Sequence, residues 1–265
     1  MDVQRVPTGV EGLDSLLQGG FFKGRSYLVT GDAGTGKTTA CLQFLWRGLT
    51  EGEKAVYVTV DERPAEILHS AASLGWDIQS YVDEKRLIIL DASPYFSGRT
   101  AMATGKGVDL EKIVSDLSAY AKRMEATRLA VDPVTPLILP SDATTRVQDL
   151  ARSFVYLIQS QLTTTNLFTA HLPATAAQNQ TSGIEEFLAS GVFTLRMYPV
   201  NGHFMRSLTI KKMRGTPVAP AECPFLIMHD KGIVFDAHSH DTAADADGEA
   251  AVQTLEFFEL PNREK

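Results

Sequence analysis

The sequence predicts an α/β fold in which one mainly parallel sheet is flanked by helices and extended by antiparallel strands at its C-terminal edge. Up to Ala170, short apolar runs rich in β-branched residues alternate with longer stretches of helical periodicity. Strands separated by helical crossovers form parallel sheets that are covered on both faces. Beyond this point, short strands follow one another through GH- and RGT-type turns without long helices, which is typical of antiparallel pairing.

The elements are predicted from the period of the apolar residues and from the turn residues between them. Crossover strands are predicted at Ser26–Thr30, Ala55–Val60, Arg86–Leu90, Arg128–Val131 and Thr164–Ala170. Helices are predicted at Lys37–Leu49, after Pro64, at Leu110–Met124 and at Ala143–Gln161. The antiparallel strands are expected at Gly191–Tyr198, Arg206–Met213 and Gly232–Phe235.

The chain is expected to form one domain over residues 1–235, followed by a flexible tail over 236–265. The tail is acidic and rich in small residues, a composition that buries too little apolar surface to fold alone. Two glycine-containing segments, Ser97–Gly107 and Leu172–Gly183, follow predicted strands. Ligands bind at the carboxyl ends of strands in open α/β sheets, so both segments are candidate site loops.

Charge and cysteine usage exclude several classes of protein. The net charge of −7 and a pI near 5.4 argue against a dedicated nucleic-acid binder, which normally has a basic face. The two cysteines, Cys41 and Cys223, lack metal-ligand spacing and are expected to be buried thiols in a reducing compartment. The sequence has no apolar signal core and no membrane-length apolar run, so a soluble cytoplasmic protein without a membrane partner is expected.

The segment GDAGTGKT fits the pattern G-x-x-x-x-G-K-[ST] of a phosphate-binding loop, between a predicted strand and a predicted helix. Its glycines allow backbone N–H groups to surround phosphates at the start of a helix. Lys37 is expected to reach the β- and γ-phosphates, and the Thr38 hydroxyl to bind Mg²⁺. The predicted nucleotide-binding residues are Gly31, Asp32, Ala33, Gly34, Thr35, Gly36, Lys37, Thr38 and Thr39.

Acidic residues end two of the predicted strands. In RLAVDP, Asp132 follows an apolar strand and is a candidate for holding Mg²⁺, together with Thr38. In VTVDE, Asp61 and Glu62 end the strand that follows the first long helix. A carboxylate here can activate a water molecule, but acidic residues before Pro64 are equally typical of a helix N-terminus. The residues alone leave these two interpretations open.

These motifs, in this order, resemble the RecA-like P-loop ATPase domains of the KaiC family. The resemblance covers most of the chain and depends on six segments. They are TGVEGLDSLLQGGFFKGRSYLVTGDAGTGKTT, VYVTVDERPAEILHSAASLGWDI, LIILDASP, RLAVDPVT, SGIEEFLASGV and KKMRGTP.

The resemblance implies roles for four further residues. Asp61 and Glu62 occupy the positions of the paired catalytic glutamates of the family, and Glu62 retains the glutamate. Lys212 and Arg214 in KKMRGT match a basic pair that, in family hexamers, reaches the γ-phosphate of the neighbouring subunit. Without the resemblance, two such residues are more typical of solvated strand charges.

Three departures from the family pattern affect these expectations. Pro133 follows the Walker B aspartate where the family commonly has Ser or Thr, and proline has no N–H to donate. His171 stands near the position of a family glutamate that is a possible γ-phosphate sensor; a histidine at a strand end can also be structural. The segment IEEFLAS lacks the adjacent Ser and Thr of the clock protein's second domain, so autokinase activity is not expected.

The expected function is that of a single-domain ATPase with Mg²⁺ that assembles into a ring, with a hexamer expected, and hydrolyses ATP slowly as a regulatory switch. One alternative is a nucleotide-sensing scaffold that regulates a signalling partner with negligible hydrolysis. A DNA-acting recombinase-type ATPase is the other. It is disfavoured because Leu172–Gly183 contains no lysine, arginine or aromatic residue with which to follow a nucleic acid.

Overall fold

A computed structural model describes residues 4–95, 109–138, 147–171, 189–200, 202–218 and 222–235. The predicted loops Ser97–Gly107 and Leu172–Gly183 and the predicted tail 236–265 lie outside the described residues. The strands are β1 (Arg5–Val6), β2 (Phe21–Phe22), β3 (Ser26–Gly31), β4 (Ala55–Thr59), β5 (Leu87–Asp91), β6 (Arg128–Asp132), β7 (Thr165–His171), β8 (Gly191–Val200), β9 (His203–Met213), β10 (Glu222–Met228) and β11 (Gly232–Phe235). The helices are α1 (Leu13–Leu16), α2 (Lys37–Thr50), α3 (Pro64–Ser73), α4 (Ile78–Asp83), α5 (Leu110–Met124), α6 (Thr135–Ile138) and α7 (Val147–Gln161), with a 3₁₀ turn at Ser93–Tyr95.

The main sheet has nine strands in the order β11-β10-β9-β8-β3-β7-β6-β4-β5. Strands β8, β3, β7, β6, β4 and β5 are parallel, and β9, β10 and β11 continue the sheet in antiparallel pairing. Helices connect the parallel strands from β3 to β7, so this is the α/β architecture predicted from the alternation in the sequence, and the fold class is confirmed.

Two details of the C-terminal strands differ from the prediction. Strand β8 was expected in the antiparallel edge, but it pairs in parallel with β3 and antiparallel only with β9. It therefore belongs to the parallel core, beside the strand that leads into the phosphate-binding loop. The second difference is β10, which was not predicted. It contains Pro224, and a proline within a short apolar run argues against a strand in the sequence.

Helices cover both faces of the sheet because neighbouring residues of each strand point to opposite sides. In β6, Ala130 packs in the cluster beneath α2, whereas Leu129 and Val131 pack beneath α5 and α7. On the face of α5 that packs against the sheet, Leu110, Ile113, Val114 and Leu117 are buried and Tyr120 is partly exposed. Cys41 and Cys223 are buried free thiols. No helix in the described ranges is long and apolar enough to span a bilayer.

The parallel register brings the predicted site residues to one end of the sheet. Gly31 at the end of β3 pairs with His171 at the end of β7, and Thr59 at the end of β4 pairs with Asp132 at the end of β6. The phosphate-binding loop, the acidic turn after β4 and the aspartate of β6 therefore meet at the carboxyl edge, where open α/β sheets bind ligands.

Candidate functional site

Two glycines of the phosphate-binding loop occupy positions that no other residue fits. Gly31 has φ +156°, and a Cβ added there would lie 2.5 Å from the carbonyl oxygen of Leu195 in β8. Gly36 precedes α2 in the left-handed conformation with φ +108°, and its Cβ would approach Ile227 of β10 to 3.0 Å. The loop is thus closed in by strands on the same sheet, and it leads into the N-terminus of α2, where backbone N–H groups and the helix dipole favour anions.

Lys37 is buried at the first position of α2. Its Nζ donates hydrogen bonds to the backbone oxygens of Gly31, at 2.8 Å, and of Asp32, at 2.7 Å. Burial lowers the pKa of the ammonium group, while the negative charges of Asp132 and Asp32 oppose that shift. The fold therefore holds a desolvated ammonium group above the loop. Main-chain carbonyl groups accept its hydrogen bonds, and phosphate oxygens can take their place.

Three hydroxyl groups hold the buried carboxylate of Asp132. Thr38 Oγ1 and Tyr57 Oη each donate to Oδ2 at 2.7 Å, and Thr169 Oγ1 donates to Oδ1. Burial, followed by the charge of Asp132, raises the pKa of Tyr57 well above its usual value, so its hydroxyl stays a donor. Thr38 and Asp132, the two predicted metal ligands, are thus in direct contact.

Asp61 and Glu62 form the turn between β4 and α3. The first turn of α3 is capped by Glu66, whose carboxylate accepts from the Arg63 N–H at 2.9 Å. Thr59 Oγ1 donates to the backbone oxygen of Glu62 at 2.6 Å and fixes the turn. Of the two interpretations left open by the sequence, the geometry favours the one in which both acidic side chains face the site rather than cap the helix.

Glu62 is exposed at the mouth of the site, yet its pKa is raised above the usual value. The causes are partial desolvation, then the negative charge of Asp132, then those of Glu66 and Asp61. A carboxylate whose proton affinity is raised is a better base, because general bases work best with a pKa nearer the working pH.

A cavity of about 340 Å³ lies between the loop, the acidic turn and the end of β6. Its charged groups are the carboxylates of Asp61, Glu62 and Asp132 together with the ammonium group of Lys37. Of the predicted nucleotide-binding residues, Gly31, Asp32 and Thr35 support the loop from behind instead of lining the cavity. The lining residues are Ala33, Gly34, Gly36, Lys37, Thr38, Thr39, Thr59, Asp61, Glu62, Ile67, Asp132, Pro133, His171 and Ile227.

Lys212 and Arg214 lie at the opposite end of the sheet. Strand β9 runs antiparallel to β8, so Met213 pairs with Gly191, which itself pairs with Tyr27 near the start of β3. The phosphate-binding loop follows Gly31, four residues further along β3, a distance of about 13 Å at the usual rise per residue. Lys212 Nζ donates to the backbone oxygen of Ala189 at 2.9 Å. Within one chain, the structure does not bring these two residues to the cavity.

Pro133 and His171, the two departures from the family pattern that lie at strand ends, both line the cavity. Pro133 lines it and joins Asp132 through a cis peptide bond. The Nε2 atom of His171 lies 4.0 Å from Oδ2 of Asp61, and both side chains are about half exposed. His171 is therefore beside the acidic turn and not packed away in the core.

Sequence reasoning missed Tyr57, Thr169 and Arg206. Tyr57 and Thr169 hold Asp132, and Arg206 of β9 donates from Nε to the backbone oxygen of Gly34 in the loop, at 3.2 Å. For Tyr57 a signal existed: a buried tyrosine usually needs a hydrogen-bond partner, and this one stands in a mostly apolar strand. The loop contact of Arg206 had no such signal, because it depends on the pairing of β8 with both β3 and β9.

A family model described as "ATPase: KaiC" matches residues 6–240. The chain belongs to the KaiC family of ATPases. Membership implies nucleotide binding, and it confirms the resemblance on which the site assignments depend. The matched residues extend through β11 and so include the antiparallel strands.

Curated relatives and a solved structure agree with this membership. The chain is 34% identical over 238 residues to the circadian clock oscillator protein KaiC of Prochlorococcus marinus, a match that covers 89% of this chain and 46% of the relative. With KaiC of Synechococcus elongatus the identity is 36% over 233 residues, covering 87% and 44%. The chain thus spans less than half the length of these relatives. The solved structure of a KaiC-like protein from Pyrococcus horikoshii superimposes with a TM-score of 0.74 at 30% identity, covering 88% of this chain and 99% of that one.

Proposed function

We propose that this protein binds ATP with Mg²⁺ in the cavity above the phosphate-binding loop and hydrolyses it slowly, as a regulatory switch. The observation that carries the proposal is the contact between Thr38 and Asp132 at 2.7 Å, in a cavity that also contains Lys37 and Glu62. Residues from α2, from the turn after β4 and from the end of β6 meet here although they are distant in the sequence. Each is of the type that phosphoryl transfer from a nucleoside triphosphate requires.

The donor atoms at the site fit Mg²⁺. A hydroxyl and a carboxylate are hard oxygen ligands, and Mg²⁺ in nucleotide sites takes its other ligands from phosphates and water. Among the described residues there is no cluster of three or more His, Cys, Asp or Glu side chains that could hold a metal ion by itself. Thr38 and Asp132 would hold the cation together with the nucleotide. When bound, Mg²⁺ would neutralise phosphate charge during transfer.

The remaining groups of the cavity divide the work of hydrolysis. Lys37 would exchange its main-chain contacts for β- and γ-phosphate oxygens. Glu62 would orient a water molecule in line with the γ-phosphate and accept its proton, a role favoured by its raised pKa. Asp61 is one methylene shorter than the family glutamate and lies beside His171, so Glu62 is the better candidate for the base.

The basic pair Lys212 and Arg214 would act on the site of a neighbouring subunit. The sheet register places them far from the cavity of their own chain. A head-to-tail ring lets each subunit supply its opposite end to the next cavity. A cation there would stabilise the charge that develops on the γ-phosphate. We expect a hexamer, with one nucleotide between each pair of subunits.

The first test is phosphate release from Mg-ATP as a function of protein concentration. Specific activity should rise steeply and then saturate, because a site shared between subunits is complete only in the ring. Activity that stays constant down to concentrations at which a mass measurement shows only monomers would contradict the shared site. ATP binding without phosphate release at any concentration would instead favour the scaffold without hydrolysis.

Mixing two inactive variants tests the shared site directly. Glu62→Gln disables the cavity side and Arg214→Ala disables the side that faces the neighbour, so each alone should be inactive. When equal amounts are mixed without nucleotide and then given ATP, about a quarter of the interfaces should combine two intact sides in a head-to-tail ring. Activity should return to about that fraction. No recovery in mixed rings, with their composition verified by mass, would show that Glu62 and Arg214 must come from the same subunit, and the shared site would be wrong.

A further inference from the structure

The turn that follows β9 carries Arg214 at the end of the sheet opposite the cavity. The backbone N–H of Arg214 donates to the oxygen of Ser190 at 2.8 Å, and Thr216, two residues later, is buried. The side chain of Arg214 itself is exposed. The fold therefore fixes the backbone of this turn on both sides of Arg214 and presents the guanidinium group to the outside of the subunit.

Arg5 joins the turn to the N-terminal segment. Its guanidinium group donates to the backbone oxygens of Leu17 and Gly20, at 2.8 and 2.9 Å, and to Oγ1 of Thr216 at 2.9 Å. It also lies over the ring of Phe22, its partner in the β1–β2 pair, 3.7 Å from the ring centre. A planar guanidinium group that is bound by three acceptors and stacked on a ring has one orientation. Arg5 thus fixes the hydroxyl group of Thr216 relative to β1 and β2.

The residue between Arg214 and Thr216 packs against the same ring. Gly215 has φ +78°, and a Cβ added there would lie 3.2 Å from the ring of Phe22. Because a side chain at this position would meet both an unfavourable backbone conformation and too little space, the turn comes this close to Phe22 only with glycine. The turn is therefore held at two consecutive residues, by a hydrogen bond from Arg5 and by contact with the ring on which Arg5 lies.

We propose that Arg5 is a positioning residue for Arg214 of its own chain, and through it for the site that Arg214 completes in the neighbouring subunit. The inference deepens the proposed function and rests on it, because it requires the shared site. A cation stabilises the charge on a transferring phosphate only from an accurate position, and a displacement of about 1 Å can cost about 100-fold in rate. Arg5 contacts groups of its own chain and acts through the turn.

The first test is phosphate release from Mg-ATP by Arg5→Gln, at a concentration at which a mass measurement shows complete rings. Release should fall by roughly tenfold, because Arg214 is no longer held in one position. Arg25→Gln is the matched control and should keep the wild-type rate. Arg25 also lies over the ring of Phe22, 4.6 Å from its centre, but among the described residues no hydrogen bond of its side chain joins it to the turn. Wild-type release by Arg5→Gln, or an equal loss in both variants, would overturn the inference.

Mixed rings separate positioning from a general loss of structure. Arg5→Gln should damage only the side that faces the neighbour, so its cavity should still work beside an intact neighbour. In an equal mixture with Glu62→Gln, about a quarter of the interfaces combine two intact sides, and release should return to about a quarter of the wild-type rate. A mixture with Arg214→Ala, which is damaged on the same side, should release no more than the two variants do separately. If Arg5→Gln did not recover with Glu62→Gln, its own cavity would be damaged and the inference would be wrong.

Thr216→Val tests whether Arg5 acts through the turn, and it also serves if Arg5→Gln folds poorly. It removes the hydroxyl group but leaves the bonds of Arg5 to Leu17 and Gly20. Release should fall by about threefold, with the same pattern in mixed rings. Adding Thr216→Val to Arg5→Gln should lower release no further, whereas losses that multiply would show that Arg5 acts by another route.

The same mixtures distinguish failure of this inference from failure of the proposed function. If Glu62→Gln and Arg214→Ala do not restore each other's activity, the shared site is wrong and the role of Arg5 falls with it. If that pair recovers while Arg5→Gln and Glu62→Gln do not, the shared site stands and only the role of Arg5 is wrong.

Discussion

The five-residue strand β6 carries a buried charge at each end, and the fold treats the two charges differently. At its start, the fully buried guanidinium of Arg128 is paired with Glu53 through two contacts of 3.0 Å. It also donates to the backbone oxygens of Pro7 and Phe44, both at 2.8 Å. The positive charge is therefore compensated within the folded chain, in a network that joins the N-terminal segment, α2 and β6.

At the other end of β6, no salt bridge to the carboxylate of Asp132 is found within the part of the chain that the structure describes, although the charge of Lys37 lies close enough to influence it. Among the described residues, the hydrogen bonds that it accepts come from the hydroxyl groups of Thr38, Tyr57 and Thr169. Hydroxyl groups orient a carboxylate without neutralising it, so the charge is left for an incoming cation. Substitutions around Arg128 should thus reduce the stability of the fold without affecting turnover. Those around Asp132 should reduce turnover and leave the stability nearly unchanged.

The largest effect is expected at the Asp132 end, from Glu62→Gln. It removes the proposed base but leaves the groups that bind phosphate, so phosphate release should fall by at least about 100-fold. Affinity for Mg-ATP and the midpoint of thermal unfolding should hardly change. Single-turnover phosphate release with saturating protein measures the chemical step.

Glu84→Gln is the control for that substitution, because Glu84 is exposed at the end of α4, away from the cavity, and pairs with Arg86 at the surface. Wild-type release also has a pH dependence whose direction follows from the raised pKa of Glu62. The base must be ionised, so turnover should fall as the solution is acidified through that pKa. Turnover by Glu62→Gln within a factor of three of the wild type would remove Glu62 from the mechanism.

The sequence predicted the Asp132 end of β6 much better than the Arg128 end. Asp132 ends an apolar strand behind a phosphate-binding motif, a pattern with a known chemical purpose. The role of Arg128 depends on the backbone of Pro7 and Phe44 and on a turn containing Glu53, contacts between segments far apart in the chain. Such contacts leave no local pattern.

The same reasoning explains the outcome for the fold. Elements such as α5 were predicted with correct bounds because their apolar period is local. The parallel partner of β8 was not predicted, because β3 and β8 lie far apart in the chain and their pairing leaves no local pattern. Likewise, the contacts of Tyr57 and Thr169 with Asp132 depend on the register of β4 and β7 against β6, which no local pattern gives.

Gly48→Ala should show the rigidity of the Arg128 end. Alanine within an ordinary helix is about 1 kcal/mol more favourable than glycine. Here, however, the new Cβ would lie 2.3 Å from Nε of Arg128, so the guanidinium or α2 must shift. We expect the free energy of unfolding in urea to fall by about 2 kcal/mol, with turnover per folded protein unchanged. In an Arg128→Leu background the same substitution should cost much less; an equal cost there would mean that Arg128 is not the obstacle.

Glu53→Gln should remove a part of the stability that depends on pH. Burial acts to raise the pKa of Glu53, but hydrogen bonds from Arg128 and Thr127, together with the charge of Arg128, outweigh it and lower the pKa. A carboxylate with a lowered pKa in the folded state contributes stability that is complete above its unfolded pKa and is lost as pH falls through the folded value.

Since 28% of the Glu53 side chain is exposed, solvent screens the pair, and we expect a loss of about 1 kcal/mol at pH 7. Urea unfolding at pH 7 and pH 3.5 would measure it. The difference between the wild type and Glu53→Gln should shrink at the lower pH. A difference that is constant with pH would show that the ionised form of Glu53 contributes nothing to the network.

The smallest effect, and the sharpest test of the comparison, is expected from Tyr57→Phe. Thr38 and Tyr57 donate to the same oxygen of Asp132, and once Thr38 binds Mg²⁺, Tyr57 and Thr169 are left to orient the carboxylate. Groups that orient a metal ligand affect metal affinity, so the free Mg²⁺ needed for half-maximal phosphate release should rise about three- to tenfold. Tyr27→Phe is the matched control, because Tyr27 is equally buried but its hydroxyl contacts the backbone of Phe22 at the far end of β3. If both variants raised the Mg²⁺ requirement equally, the effect would not be specific to the Asp132 end of the sheet. The contrast between Arg128, whose charge is paired within the fold, and Asp132, whose charge is left to bind a cation, would then be wrong.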